Sequence, residues 1–321
     1  MLIEAKAHSI ELATPFVISR GARTHCHTVR VTTSHKQQQG TGECTPYPRY
    51  GESVESVIAQ IEAWVPELEN LSPQMAKQRL QNMPAGAARN AVDCALWDLI
   101  GKVEETSFPS PHFHVDNAIE TAMTVSIGDV HKMAEQAAQY VEQGASLLKV
   151  KLDSEAVIER VAAVRSAAPN CKIILDANEA WGSLNLEQLF EQLAPFDITM
   201  IEQPLPSGED HPLASIKHPI PLCADESCHT RAQLADLKGL YEMVNIKLDK
   251  TGGLTEALLL EKQARENGFS IMAGCMLGTS IAMKAALPIA TNAEVVDLDG
   301  PVLLGGDVED GLKYHSGKLH L

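Results

Sequence analysis

LLKVKLD (147–153), IILDAN (173–178), ITMIEQP (198–204), PLCADES (221–227) and MVNIKLD (243–249) decide the fold of this chain. Each is an apolar run of strand length that gains a charged residue in its last positions, and helical periodicity lies between them. The pattern continues outward, to TAMTVSI (121–127) on one side and to SIMAGCM (270–276) and VVDLDGP (295–301) on the other. Eight such runs, starting 22 to 27 residues apart, alternate with helices, as a closed (β/α) barrel requires. Helix N-caps are expected at Asp129, Ser154, Asn185 and Thr230, with stops at Gly144 and Gly268. An open doubly wound sheet is the alternative, but no G-x-G-x-x-G turn follows the first run.

Upstream the pattern differs. Val29–Thr33 reads as a β-branched strand, followed by the Gly-rich GTGECTP (40–46). Residues 53–64 and 87–100 read as helices, the second ending at Gly101. The segment 104–117, rich in Pro, Ser and His, has no periodicity and reads as a connector. The expected fold class is therefore α/β: a (β/α)7β TIM-like barrel over residues 118–302. An α+β capping domain over 1–110 is expected beside it, completed by residues 303–321.

Composition narrows the function. The balance of 26 basic against 42 acidic residues gives a net charge of −16, which repels nucleic acid and anionic membrane. The seven cysteines have no metal-type spacing and read as reduced, buried thiols. MLIEAKAHSIEL reads as neither a signal peptide nor a membrane span, so a cytoplasmic protein is expected. The partner expected is a small molecule; a homo-oligomer remains open.

The charges of the barrel half fall at strand ends: Lys149 and Lys151, Asp176, Glu202, Asp225, Lys247, and Asp297 with Asp299. In a barrel these positions converge on one mouth, where active sites lie. Three carboxylates on consecutive strands, Asp176, Glu202 and Asp225, repel one another unless a cation sits among them, and all-oxygen ligation suits Mg²⁺. Taken singly, each acid could instead cap a helix or pair with a lysine. Lys151 precedes the trio by one strand and Lys247 follows it by one, which places two bases on opposite sides of whatever a metal would hold. Such an arrangement can remove an α-proton from one face of a carboxylate substrate and return it on the other, provided each lysine has a lowered pKa. Lysines that merely neutralise the acids are the other reading.

Lys-Val-Lys (149–151), Asp-Ala-Asn (176–178), Ile-Glu-Gln-Pro (201–204), Ala-Asp-Glu-Ser (224–227) and Asn-Ile-Lys-Leu-Asp (245–249) together resemble the muconate-lactonizing subgroup of the enolase superfamily. GTGECTPYPRYGES (40–53), PAGAARNAVDCALWDL (84–99), YEMVNIKLDKTGGLTEA (241–257) and DLDGP (297–301) extend the resemblance over nearly the whole chain, toward its dipeptide epimerases. The resemblance implies Mg²⁺ on Asp176, Glu202 and Asp225, and Lys151 and Lys247 as the acid/base pair. It implies Lys149 near the substrate carboxylate, and Asp297 and Asp299 receiving the substrate ammonium. Arg23 would meet a glutamate side-chain carboxylate, although it also reads as a solvated loop cation. Thr124 and Cys275 would be further substrate contacts. The implied activity is epimerisation of L-Ala-D/L-Glu dipeptides by 1,1-proton transfer at the Glu α-carbon, in murein peptide recycling. Sister reactions (N-acylamino acid racemisation, o-succinylbenzoate synthesis, muconate cycloisomerisation) and a non-catalytic binding protein are the rivals. The chain departs from the pattern in the 104–117 connector, whose His112 and His114 read as surface residues.

Overall fold

A computed structural model describes residues 1–106, 108–109 and 112–321. The chain opens with three antiparallel strands in the order β1 (Leu2–Ile18), β2 (Gly21–His35), β3 (Gln38–Cys44). The β-branched run at 29–33 is the buried middle of the much longer β2. The β1–β2 hairpin closes with Ile18 paired to Gly21. Three helices follow: α1 (Val54–Leu68), α2 (Pro73–Leu80) and α3 (Ala87–Val103). Ser53 and Ser56 form a reciprocal capping box at the start of α1.

The Gly-rich segment owes its composition to α3. A Cβ on Gly40 would stand 2.2 Å from Ala95 O, and one on Gly42 2.2 Å from Ala91 O, so β3 lies directly against the helix backbone. Gly101 does not stop α3; the helix runs on to Val103, and the Thr106 N–H returns to Gly101 O at 2.8 Å. Of the connector, Ser107, Ser110 and Pro111 lie outside the described residues, so the expected boundary at 110 falls there.

β4 (Ala118–Glu120) leads into the barrel. The order is then β5 (Met123–Val125), α4 (Val130–Glu142), β6 (Leu147–Lys151), α5 (Val157–Ala167), β7 (Lys172–Asp176), α6 (Leu186–Leu193), β8 (Ile198–Glu202) and β9 (Leu222–Ala224). It continues through α7 (Leu234–Leu237), β10 (Met243–Ile246), α8 (Leu248–Thr251), α9 (Leu254–Glu266), β11 (Ser270–Gly274), α10 (Ser280–Ala290), β12 (Val295–Asp297) and α11 (Gly300–Leu303). The eight strands from β5 to β12 are parallel neighbours in sequence order. The Ala122 N–H donates to Val296 O at 2.8 Å and joins the last strand to the first.

Asp129 and Asn185 cap α4 and α6 as expected. Ser154 does not cap α5. Asp153 instead accepts from the Glu155 N–H at 2.8 Å and from Arg160 at 2.6 Å, and this local turn delays the helix until Val157. Thr230 caps a 3-10 turn at Arg231–Gln233, and α7 begins only after it. Between β8 and β9 the connection holds only a 3-10 turn at His211–Ser215, in a segment broken by Pro204, Pro206 and Pro212.

Residues 303–321 divide between cap and barrel, and the Gly305 N–H donates to Glu11 O of β1 at 2.7 Å. Leu304 bridges Leu12 of β1, but β13 (Lys313–His315) and β14 (Lys318–His320) fold back onto β4 as a separate three-stranded sheet.

Inside the barrel, Ala122, Leu147, Ile174, Met200, Cys223, Met243, Met272 and Val295 form one buried apolar ring, one residue from each of β6 to β12 and Ala122 immediately before β5. Strand side chains alternate, so two residues further along every strand the chain again faces inward. Those positions are Thr124, Lys149, Asp176, Glu202, Asp225, Asn245, Gly274 and Asp297. A polar ring therefore rests on an apolar floor.

Candidate active site

The polar ring is buried, and its charges pair across strand boundaries. Lys149 Nζ lies 2.6 Å from Glu202 Oε2, 3.0 Å from Asp176 Oδ2 and 2.8 Å from Asp297 Oδ2. One step nearer the mouth, Lys151 Nζ lies 2.6 Å from Asp176 Oδ2, and Lys247 Nζ 2.6 Å from Asp225 Oδ2. Asn245 Nδ2 donates to Glu202 Oε1 at 2.7 Å. The absent side chain of Gly274 makes room for that amide, since a Cβ there would stand 2.5 Å from Asn245 Oδ1.

Part of this ring borders a cleft between barrel and cap. Lys149, Lys151, Asp225, Lys247, Thr124, Cys275, Asp297 and Asp299 line its barrel side, while Arg23 lines the cap side with Phe16, Ile18, Arg20, Tyr47 and Tyr50. Asp176 and Glu202 have no exposed surface and lie beneath the lysines. The structure thus gathers the predicted residues at one place. The guanidinium of Arg23 stands 5.1 Å from the Tyr47 ring centre, at the wall of the cleft.

Sequence reasoning missed the residues that dock the hairpin tip. Arg20 donates to Glu226 Oε1 at 2.8 Å, Glu179 Oε2 at 3.0 Å, Asn178 O at 3.0 Å and the Tyr47 hydroxyl at 2.8 Å. Arg49 grips the same Glu179 through two bonds of 2.9 and 2.8 Å. Glu226 follows the strand-end Asp225 directly, but its partner Arg20 lies 206 residues away, and no local pattern joins them.

Burial opposes every charge here, and the neighbours decide the outcome. Burial and the Asp176 charge push Glu202 up to about 8. Asp176 is driven below the ordinary carboxylate range in spite of its burial, because Lys149 and Lys151 stand against it. Asp225 is lowered likewise by Lys247 and Lys250. Burial and Asp297 raise Asp299 to about 7. The expectation of a depressed lysine is not met at Lys247, which Asp225 and Glu202 hold well above its ordinary range despite burial.

The donor set fits a hard divalent cation. As the side chains stand, no three acids among the described residues are arranged as ligands, and Lys149 Nζ stands between Asp176 and Glu202. Yet Asp297 Oδ1 is buried without a hydrogen-bond donor, and Glu202, although Lys149 stands on its Oε2, binds a proton more readily than an ordinary carboxylate. These are signs of a cation deficit, and oxygen donors on three adjacent strands suit an oxygen-seeking ion.

A barrel with lysines and acids at these strand ends, capped by an α+β domain, defines a class. Residues 132–321 match the family described as enolase C-terminal domain-like, and residues 3–109 match the mandelate racemase/muconate lactonizing enzyme N-terminal domain. The chain belongs to this family of the enolase superfamily and is an isomerase of the epimerase and racemase kind. It is 51% identical, over 97% of its length and 96% of the relative's, to the L-Ala-D/L-Glu epimerase of Escherichia coli K12. It is 43% identical, over 90% of its length and 91% of the relative's, to an N-acetyl-D-glutamate racemase of a Pseudoalteromonas species. A solved L-Ala-D/L-Glu epimerase superposes with a TM-score of 0.92 at 48% identity, covering 100% of this chain and 98% of that one. A dipeptide epimerase from Enterococcus faecalis V583, complexed with Mg and L-Leu-L-Tyr, superposes with a TM-score of 0.93 at 29% identity, covering 99% and 96%.

Proposed function

We propose that the protein epimerises L-Ala-D/L-Glu dipeptides at the Glu α-carbon, with Lys151 and Lys247 as the two proton-transfer groups. One observation carries the reading: two buried ammonium groups hold the outer two members of an acid trio on adjacent strands, each at 2.6 Å, beside one cleft. A substrate carboxylate lodged over the trio sets its α-carbon between them. One lysine, in its neutral form, takes the α-proton from one face, and the other, as ammonium, delivers a proton to the opposite face. One C–H bond breaks, one forms, and the lysines exchange protonation states. Asp176, Glu202 and Asp225 would hold Mg²⁺, which when bound supplies positive charge against the negative charge that develops on the carboxylate.

Asp297 and Asp299 face the end where the Ala ammonium would lie, and Arg23 the end of the Glu side chain. Thr124, Cys275 and Lys149 complete the wall. The cytoplasm and the recycling of murein peptides are the setting this activity fits. Among the described residues no helix is long and apolar enough to cross a membrane.

A second reading has its own observation. Asp297 Oδ2 is already taken by Lys149 at 2.8 Å, which leaves less anion for an ammonium and favours an N-acylated glutamate. Proton NMR of the protein with Mg²⁺ in D₂O distinguishes them. Loss of the Glu α-proton signal of L-Ala-L-Glu, with the L,D diastereomer appearing, supports the first reading. Exchange confined to N-acetylglutamate supports the second, and exchange of neither overturns both.

A further inference from the structure

Lys250 lies three residues after Lys247, in the single turn of α8, and both ammonium groups reach back to the end of β9. Lys250 Nζ donates to Asp225 O at 2.6 Å, Asp225 Oδ1 at 2.7 Å and Asn245 O at 2.8 Å. An ammonium has three donors, so none remains for a substrate. Its side chain has no exposed surface and it does not border the cleft. Lys247 takes the other carboxylate oxygen, Oδ2, at 2.6 Å. Asp225 is therefore held by two cations, one on each oxygen, of which only Lys247 borders the cleft.

We propose that Lys250 is a positioning residue that anchors Asp225 through Oδ1 and its carbonyl, leaving Oδ2 as the oxygen presented to Lys247 and to a cation among the strand-end acids. The terminal torsion of an aspartate is broad and nearly two-fold, so an unanchored carboxylate can exchange its oxygens or tilt. Lys250 removes that freedom. It also ties the carboxylate to the carbonyl of Asn245, whose amide holds Glu202, so one ammonium sets the spacing of two of the three acids. Its action is one-sided: Asp176, and with it Lys151, has no contact with Lys250. The inference rests on the proton-transfer reading above.

Lys250→Met in the full chain tests it, because methionine keeps the length and loses the three donors. Outer partners of a ligand typically contribute 10- to 100-fold to metal affinity or activity. Calorimetric Mg²⁺ titration without substrate is expected to show affinity weaker by about that factor. Solvent exchange of the α-proton is expected to fall by a like factor for the epimer that Lys247 serves, and to change little for the one Lys151 serves. The two epimers are assigned beforehand from single-lysine variants. Unchanged Mg²⁺ affinity with equal loss for both epimers overturns the proposal.

If Lys250→Met does not fold, the wild-type protein crystallised with Mg²⁺ decides: Oδ2 must face the ion with Oδ1 still on Lys250, and Oδ1 on the ion overturns the proposal. A wild type that exchanges no α-proton would overturn the proton-transfer reading instead, and the calorimetry and crystal structure would still judge Lys250.

Discussion

Lys151 and Lys247 reach the cleft as ammonium groups already bound to carboxylates, and in the proposed reaction each would have to release its partner before it could accept a proton. On the proposed reading, a cation among the acids would make that release possible. Replacing either lysine by alanine is expected to lower epimerisation by about 10²- to 10⁴-fold. Exchange of one epimer is expected to survive in each variant. Full epimerisation in either would exclude the two-base scheme. The inward-facing positions were legible because strand alternation is rigid: two steps from the floor residues Leu147, Ile174, Met200, Cys223 and Val295 stand Lys149, Asp176, Glu202, Asp225 and Asp297, and four steps from Leu147 and Met243 stand Lys151 and Lys247. Lys250 was not legible. It lies in the turn after β10, where no period assigns it a direction, and only its three acceptors reveal what it does.

The tip of the β1–β2 hairpin docks on the barrel through Arg20, the Ser19 hydroxyl to Asn178 O at 3.1 Å and the Ile127 N–H to Val17 O at 3.1 Å. Arg20 is a quarter exposed, so its ion pairs are screened. Its replacement by methionine is expected to weaken closure by about 1 kcal/mol, roughly a five-fold rise in KM with kcat less affected. Steady-state kinetics at low and high salt would show it, and a KM that ignores both mutation and salt would count against the latch. At this scale the sequence was only partly readable. Elements whose ends are set by local capping, such as α4 and α6, stood where Asp129 and Asn185 placed them. Those set by a competing side chain did not: Asp153 displaced Ser154, and Gly101 stayed helical because α3 continues as the packing partner of β3. The hairpin of residues 313–320 was missed because nothing local says whether it pairs with the cap or with β4.

The cap and barrel meet as one body at Asp249, whose Oδ1 accepts from the Thr45 N–H at 2.9 Å and from Asn90 Nδ2 at 3.1 Å. Burial, against the Thr45 N–H and with the Glu52 charge, pushes this carboxyl up to about 7. The folded protein then keeps a proton that the unfolded chain releases near pH 4, so stability falls as pH rises from about 4 to 7 and is level above. Asp249→Asn is expected to remove that component, giving a shallower dependence of the urea midpoint on pH and a more stable protein at pH 8. An unchanged slope would place the proton elsewhere. Mg²⁺ at about a hundred times its Kd is expected to stabilise the fold by about 2.7 kcal/mol, seen as a raised Tm that Asp225→Asn abolishes. The ring of eight apolar side chains beneath the acids carries one more consequence. It closes the barrel floor beneath the acids like the base of a flask, so on the proposed reading substrate and solvent hydrogen would enter from the cap side, past the hairpin. A deuteron held by Lys151 or Lys247 would not be lost through that floor, only through the cap side. The isotope found in the product would therefore record how often the flask opened, and a loosened hairpin would change the label before it changed the chemistry.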